Sequence, residues 1–297
     1  MPIRNLQDYI AKAPAPPQPF SVTDTQTRNP VVATARIPVS PFAALDVWYS
    51  INGITVVTWQ QNPNFLETVP LNTQLILEFS PNLMPDNWLL VSEQPLTYYL
   101  EDKIKRFHGQ TIQGAYRLKL KHPNFEYLSE PTRLFQKYSF TEYKVALKIL
   151  RAENRQLYHK SPGYLLKRRQ MGVRCTSCND FLTNVAKQEQ CSICYGTGFI
   201  GGYFVPVQCG MEITLQGSED QVDPARGPVN DQVSVGRMTA LYSPEQNDVW
   251  VDSTSGRRYR VVSNKVTCQQ RSVPLVLAVN LKHIPASDAV YGVKAEI

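Results

Sequence analysis

Two Cys-x-x-Cys pairs, Cys175/Cys178 and Cys191/Cys194, are separated by twelve residues. They constrain this chain more than any other feature. Each pair turns tightly enough to aim two thiolates at one point, and four such sulfurs make a closed tetrahedral site of the structural zinc kind. The spacer 179–190 is polar apart from Phe181, Leu182, Val185 and Ala186. It is too poor in apolar residues to build its own core, so a metal would supply the local folding energy. Disulfides within the pairs, as in an extracellular particle, are one alternative. A metal-free relic is another. A catalytic zinc fits poorly, because such sites use three protein ligands, often His, and leave a fourth position open. His108, His122, His159 and His283 all lie outside the stretch. Nothing around Cys175 resembles the strand-to-helix turn of a thioredoxin-type redox site.

Residues 195–203 read Tyr-Gly-Thr-Gly-Phe-Ile-Gly-Gly-Tyr. A phosphate-cradling loop would need a following helix and a Lys with Ser/Thr, and neither follows. The glycines are expected to let the chain leave the second knuckle with its amides aimed at the sulfurs. Tyr195, Phe199, Tyr203 and Phe204 are expected to pack over the site.

At 297 residues the chain has material for two or three domains. Hydrophobic residues make up 42% of it, which places it among globular rather than disordered chains. Twenty-two prolines and fifteen tyrosines favour strands and ordered loops over a helical bundle. The net charge of +6 permits nucleic-acid contact, but no charge run reads as a nucleic-acid arm. No stretch is long enough to span a bilayer, and the opening Met-Pro-Ile-Arg does not read as a signal peptide. Synthesis in a reducing cytoplasm is expected, where paired cysteines more often mean metal than disulfide.

The expected fold class is mainly β with one principal helix: an N-terminal β-sandwich, a zinc-ribbon-like insert and a small C-terminal β domain. Residues 1–27 form an extended Pro-rich arm, because Ala13-Pro14-Ala15-Pro16-Pro17-Gln18-Pro19 favours polyproline geometry. The arm either lies along a neighbouring subunit or is a loose tail. Residues 28–123 read as a sandwich. A hairpin turns at Asn52-Gly53, and further strands run over 73–79, 87–92 and 116–120. Trp48, Val57, Leu75, Leu77, Leu89 and Leu118 are its candidate core. Residues 124–170 are a helical linker. Its helix spans 139–158, opened by a Ser139/Glu142 capping box, with Tyr143, Ala146, Leu147, Leu150, Asn154 and Leu157 mainly on one face. The basic residues Lys144, Lys148, Arg151 and Arg155 lie elsewhere on it. Lys167-Arg168-Arg169, with Arg174, makes a second basic cluster without the aromatic interleaving that stacks single-stranded bases. Residues 171–205 hold the knuckles. Residues 206–297 return to strands, with a hairpin across 248–262 and an apolar strand at 273–281. Cys209 and Cys268 read as small buried hydrophobes, and a disulfide between them stays open.

The run ILRAENRQLYHKSPGYLLKRRQMGVRCTSC from Ile149, followed by CSICYGTGFIGGYFVP through Pro206, resembles a recurring pattern in structural proteins of tailed bacteriophages. DVWVDSTSGRRYRVV and HIPASDAVY are similar to that family's C-terminal part. The resemblance covers roughly residues 145–293 and leaves 28–123 outside it. It implies a non-enzymatic virion component of a contractile-tailed phage, of the neck or head-to-tail connector ring type. The family's metal ligands map onto Cys175, Cys178, Cys191 and Cys194, holding a structural zinc. The implied partners are other copies in a homo-oligomeric ring and neighbouring neck or tail proteins, with incidental contact to packaged DNA. No membrane and no small-molecule substrate are implied. The implied location is the virion, assembled in the host cytoplasm. Cys191 to Gly198 is also similar to one Cys-x-x-Cys-x-Gly-x-Gly unit of the DnaJ chaperone zinc domain. Cys175 to Leu182 is not, and no His-Pro-Asp occurs. Two alternatives remain open: a zinc-ribbon nucleic-acid binder using Lys167, Arg168, Arg169 and Arg174, and a tail or baseplate structural protein.

Overall fold

The computed structural model describes residues 39–49, 54–65, 67–104, 114–133, 139–178, 190–215, 222–223, 227–228, 233–271 and 273–295. The chain divides into two units, residues 1–38 and 39–297, and all described residues belong to the second. The arm expected at 1–27, the turn at Asn52-Gly53 and nearly all of the knuckle spacer lie outside them.

Strands β1 (Phe42–Tyr49), β2 (Thr55–Gln61) and β5 (Tyr99–Asp102) form a three-stranded antiparallel sheet in the order β1-β2-β5. Strands β3 (Gln74–Ser80), β4 (Leu89–Pro95), β6 (Ala115–His122), β7 (Phe125–Leu128) and β8 (Thr132–Arg133) make a second, with β4 at its edge. Alternation sets the faces. In β6, Tyr116, Leu118 and Leu120 are buried, while Arg117 and Lys119 are half-buried and Lys121 is exposed. Strand β2 is different, because side chains on both of its faces are buried. Val57 and Trp59 join Leu75, Leu77, Leu118 and Leu120 in a first core, whereas Val56 and Trp48 join a second. The small sheet is therefore a middle layer, covered from both sides.

The second core lies under the helix α1 (Phe140–Lys160) and against a seven-stranded antiparallel sheet. That sheet contains β9 (Pro162–Leu166), β10 (Val207–Gly210), β11 (Glu212–Leu215), β14 (Val233–Thr239), β15 (Val249–Asp252), β16 (Arg258–Gln270) and β17 (Val273–Ile284). Its order is β10-β9-β15-β16-β17-β14-β11. Two short segments, β12 (Val222–Asp223) and β13 (Gly227–Pro228), pair apart from it. Period-2 alternation again divides two cores: Trp250 faces the second, while Val249 and Val251 face a third with Leu166, Tyr203, Ile284 and Val290.

The chain is thus mainly β with a single α-helix among the described residues. The helix begins where the capping residues lie: Glu142 accepts from the Ser139 amide (2.9 Å) and hydroxyl (2.7 Å). Its expected inner face is buried at Tyr143, Ala146, Leu150, Asn154 and Leu157. It crosses β10 so closely that a Cβ on Gly210 would sit 2.4 Å from the Leu157 carbonyl carbon. Segment 124–170, expected as a helical linker, also holds β7, β8 and β9. In the first hairpin Tyr49 pairs with Thr55.

Leu89 departs from its expected place in the sandwich core. It is 47% exposed, and Leu90 beside it 61%. Strand β4 is an edge whose register slips opposite Leu77/Glu78, and while Val91 packs against the first core, Leu89 and Leu90 stay exposed. Cys209 is buried and Cys268 half-buried, and both thiols are free, so no bridge joins them. No described helix is long and apolar enough to cross a membrane.

Candidate metal centre

The knuckles meet because the segments flanking them pair. The Cys175 amide donates to the Gly198 carbonyl (2.9 Å), and the Ile200 amide to Val173 (2.9 Å), around a bridge between Arg174 and Phe199. This short ribbon places Cys175 Sγ 3.8 Å from Cys191 Sγ, and Cys178 Sγ 3.0 Å from Cys194 Sγ. All four sulfurs lie within 4.8 Å of one another, and all four residues are buried. All six cysteines of the chain are free. Four buried thiols this close can bind a metal ion. Every position of a tetrahedron is then filled by sulfur, which leaves no open site for a reacting water.

The second knuckle is wired as its glycines imply. The amides of Cys194 and Ile193 point at the Cys191 sulfur and hold its thiol at about 7, well below the ordinary range. Burial pushes the Cys194 thiol up, against the pull of the Gly198 and Gly196 amides. Burial also raises Cys178. Backbone donors at a sulfur stabilise the thiolate, the form that binds metal. Thr197 closes the loop by donating its hydroxyl to the Cys194 carbonyl (2.7 Å). Gly202 permits the exit: its φ is +63°, and a Cβ there would lie 2.7 Å from the Cys194 carbonyl oxygen.

The four aromatics do not lie over the sulfurs as expected; the cysteines cluster with one another alone. Phe204 enters the first core, with ring centroids 6.0 Å from both Trp59 and Tyr98. Tyr203 enters the third core, with Tyr195 packed against it, and Phe199 lies under the Arg174 guanidinium (4.5 Å). These rings anchor the knuckle region to the body. One apolar run is shared between sites because its alternate residues point opposite ways.

Polar ties complete the attachment. The Phe204 amide donates to the Lys167 carbonyl, and the Arg169 amide to Gly202. Gln61, buried at the end of β2, acts like a short strand: its amide donates to the Arg168 carbonyl (3.0 Å), and its oxygen accepts from the Gln170 amide (2.7 Å). Lys167 is buried and pairs with Glu245 (3.1 Å) and Asp248 (3.3 Å), while donating to the Ser243 carbonyl (2.6 Å). Asp248 also accepts from the amides of Arg168 (2.8 Å) and Glu245 (2.7 Å). Burial raises the Asp248 carboxyl to about 6, although Lys167 and the two amides pull it down. Sequence reading missed Gln61, Glu245 and Asp248, since nothing in their local pattern marks them. It also grouped Lys167 with a basic cluster; the side chain is internal, so a nucleic-acid surface of four cations loses one member.

Compared with protein-family models, curated proteins and solved structures, the chain matches none of them.

Proposed function

We propose that this chain is a non-enzymatic structural subunit of a tailed-phage virion, of the neck or head-to-tail connector ring type, stapled by one structural zinc. The observation that carries the staple is a closed, fully buried four-thiolate site whose flanks run into the first and third cores. Zinc fits the donor set. Soft thiolates in a tetrahedron select zinc or iron over magnesium and calcium. Zn–S bonds of about 2.3 Å imply sulfurs about 3.8 Å apart, and the sulfurs here lie at 3.0 to 4.8 Å. Cys175, Cys178, Cys191 and Cys194 would hold the ion, which would close the loop that the spacer cannot.

The virion assignment rests on the resemblance of residues 145–293 to phage structural proteins. An assembly role is supported by β4, a sheet edge that exposes Leu89 and Leu90. Exposed apolar edge strands are liabilities in free monomers and contacts in assemblies. In this reading the Pro-rich arm lies along a neighbouring copy or another virion protein.

Native mass spectrometry tests both parts at once. The expected result is a closed oligomer with one zinc per chain. A zinc-loaded monomer at assembly concentrations would remove the ring and keep the staple. An oligomer lacking metal would do the reverse.

A further inference from the structure

A cleft of about 550 Å³ lies between the knuckle region and the loop before β15, with Arg168, Arg169 and Arg174 on one side and Glu245, Gln246 and Asn247 on the other. We infer that this cleft binds a phosphate group. Among the described residues three arginines line it, and one carboxylate does. That carboxylate, Glu245, is already engaged by Lys167 (3.1 Å) and by Gln170 Nε2 (3.3 Å). Asp248 is taken up by Lys167 and two backbone amides.

Arg168 and Arg169 are held in place by neutral groups. Arg168 donates to the Thr197 carbonyl over a long 3.4 Å contact. Arg169 donates through Nε to the Tyr203 carbonyl (3.0 Å) and packs against the Phe204 ring. Arg174 packs on Phe199. Neither Arg168 nor Arg169 has a carboxylate partner among the described residues, and each keeps N–H donors beyond the contacts named. Like charges repel, so holding Arg168 and Arg169 at a cleft without a carboxylate partner is unfavourable until an anion enters. Arginine's planar fork suits phosphate oxygens, and pre-fixed side chains lose little freedom on binding. Gln246 and Asn247 also line the cleft, and their side-chain amides can donate as neutral groups. The phosphate comes either from free phosphate or from a nucleic-acid backbone, and the same test separates the two.

The full-length, zinc-loaded protein is titrated calorimetrically with inorganic phosphate and with a short DNA duplex, in parallel with Arg168→Gln, Arg169→Gln and the remote surface control Lys121→Gln. Saturable phosphate binding is expected, weakened at least about fivefold in Arg168→Gln and unchanged in Lys121→Gln; loss of one charge-assisted contact is worth that much. Arg168→Gln gives up only the longest of the contacts above, so it serves even if Arg169→Gln fails to fold. Phenylglyoxal modification of the wild type, mapped by peptide, adds a second readout: phosphate should protect Arg168 and Arg169 and leave Arg257 reactive. Duplex binding that phosphate competes away, with a log K that falls with log salt, identifies a backbone source. Phosphate binding without duplex binding identifies a free source. Absence of saturable phosphate binding to the folded protein overturns the inference. So does equal affinity in wild type and Arg168→Gln, or tighter binding of citrate than of phosphate.

Discussion

Replacing Lys167 by Met should be among the most damaging single changes in this protein. The residue is 1% exposed, and its ammonium lies 3.1 Å from Glu245 and 3.3 Å from Asp248. Met fills a similar volume but removes the charge, which leaves Asp248 ionised inside the protein and the Ser243 carbonyl without its donor. At an effective dielectric near 20, one contact at this distance is worth about 5 kcal/mol before desolvation is counted. Stranding one member of a buried pair costs about 3–5 kcal/mol in practice. Urea unfolding with zinc in excess at pH 7.5 should show a loss of that size. Asp248→Asn should also destabilise, because both carboxylate oxygens accept from backbone amides and an amide group can offer only one acceptor. The double variant should be less damaged than the sum of the two by about 2 kcal/mol or more, since neither stranded charge remains. The pH dependence has a definite sign. The folded carboxyl sits at about 6, above its ordinary 3.8, so the folded state takes up the proton first and this group's penalty is relieved as pH falls through 6 toward 4. Removing Lys167 removes a pull that lowers this value and moves the relief to higher pH. The deficit of Lys167→Met should therefore shrink between pH 8 and pH 6. A loss below 1 kcal/mol, additivity with Asp248→Asn, or a deficit that grows on acidification would refute the argument.

Cys175→Ser should abolish stoichiometric zinc, and hydrogen exchange should then show lost protection at 168–204 while the amides of β3 and β6 stay protected. Gly210→Ala should cost roughly 2 kcal/mol or more in urea unfolding, because its Cβ would press on the helix backbone. Leu90→Ser should leave monomer stability within about 0.5 kcal/mol yet reduce assembly seen by sedimentation. Deleting residues 1–27 should leave a folded, zinc-loaded protein that enters particles poorly; full incorporation would make the segment a passive tail.

What was legible in the sequence was what short-range chemistry dictates. Two close Cys pairs, a Ser-x-x-Glu start and alternating strands such as β6 need only their neighbours to be understood. What was illegible depends on distant partners. Lys167 reads as one more cation in Lys-Arg-Arg until Asp248, eighty-one positions away, is folded against it. Leu89 has the composition of a core residue, but its strand became an edge, and no local pattern reports which strand ends a sheet. Phe204 sits beside the second Cys pair in sequence and fills the core of another layer in space.

That last displacement bears on whether the N-terminal sandwich can stand alone. Its core takes Tyr143, Met171 and Phe204 from beyond residue 133, all buried. At roughly 1.5–3 kcal/mol for each large side chain, their removal forfeits about 5–9 kcal/mol, comparable to the 5–15 kcal/mol that holds a whole domain. Excision also uncovers Trp48 and Val56, which belong to the second core, and frees Gln61 from the 168–170 segment. A fragment of residues 39–133 should therefore keep strand-type far-ultraviolet ellipticity at best, with weak near-ultraviolet signal and a broad melt. The same fragment carried to residue 210 regains all three side chains and the ties from Gln61 to the 168–170 segment, and should melt more sharply when zinc is added. A cooperative, zinc-independent melt of 39–133 at the temperature of the full chain would show that the sandwich is self-sufficient and that the shared core contributes little.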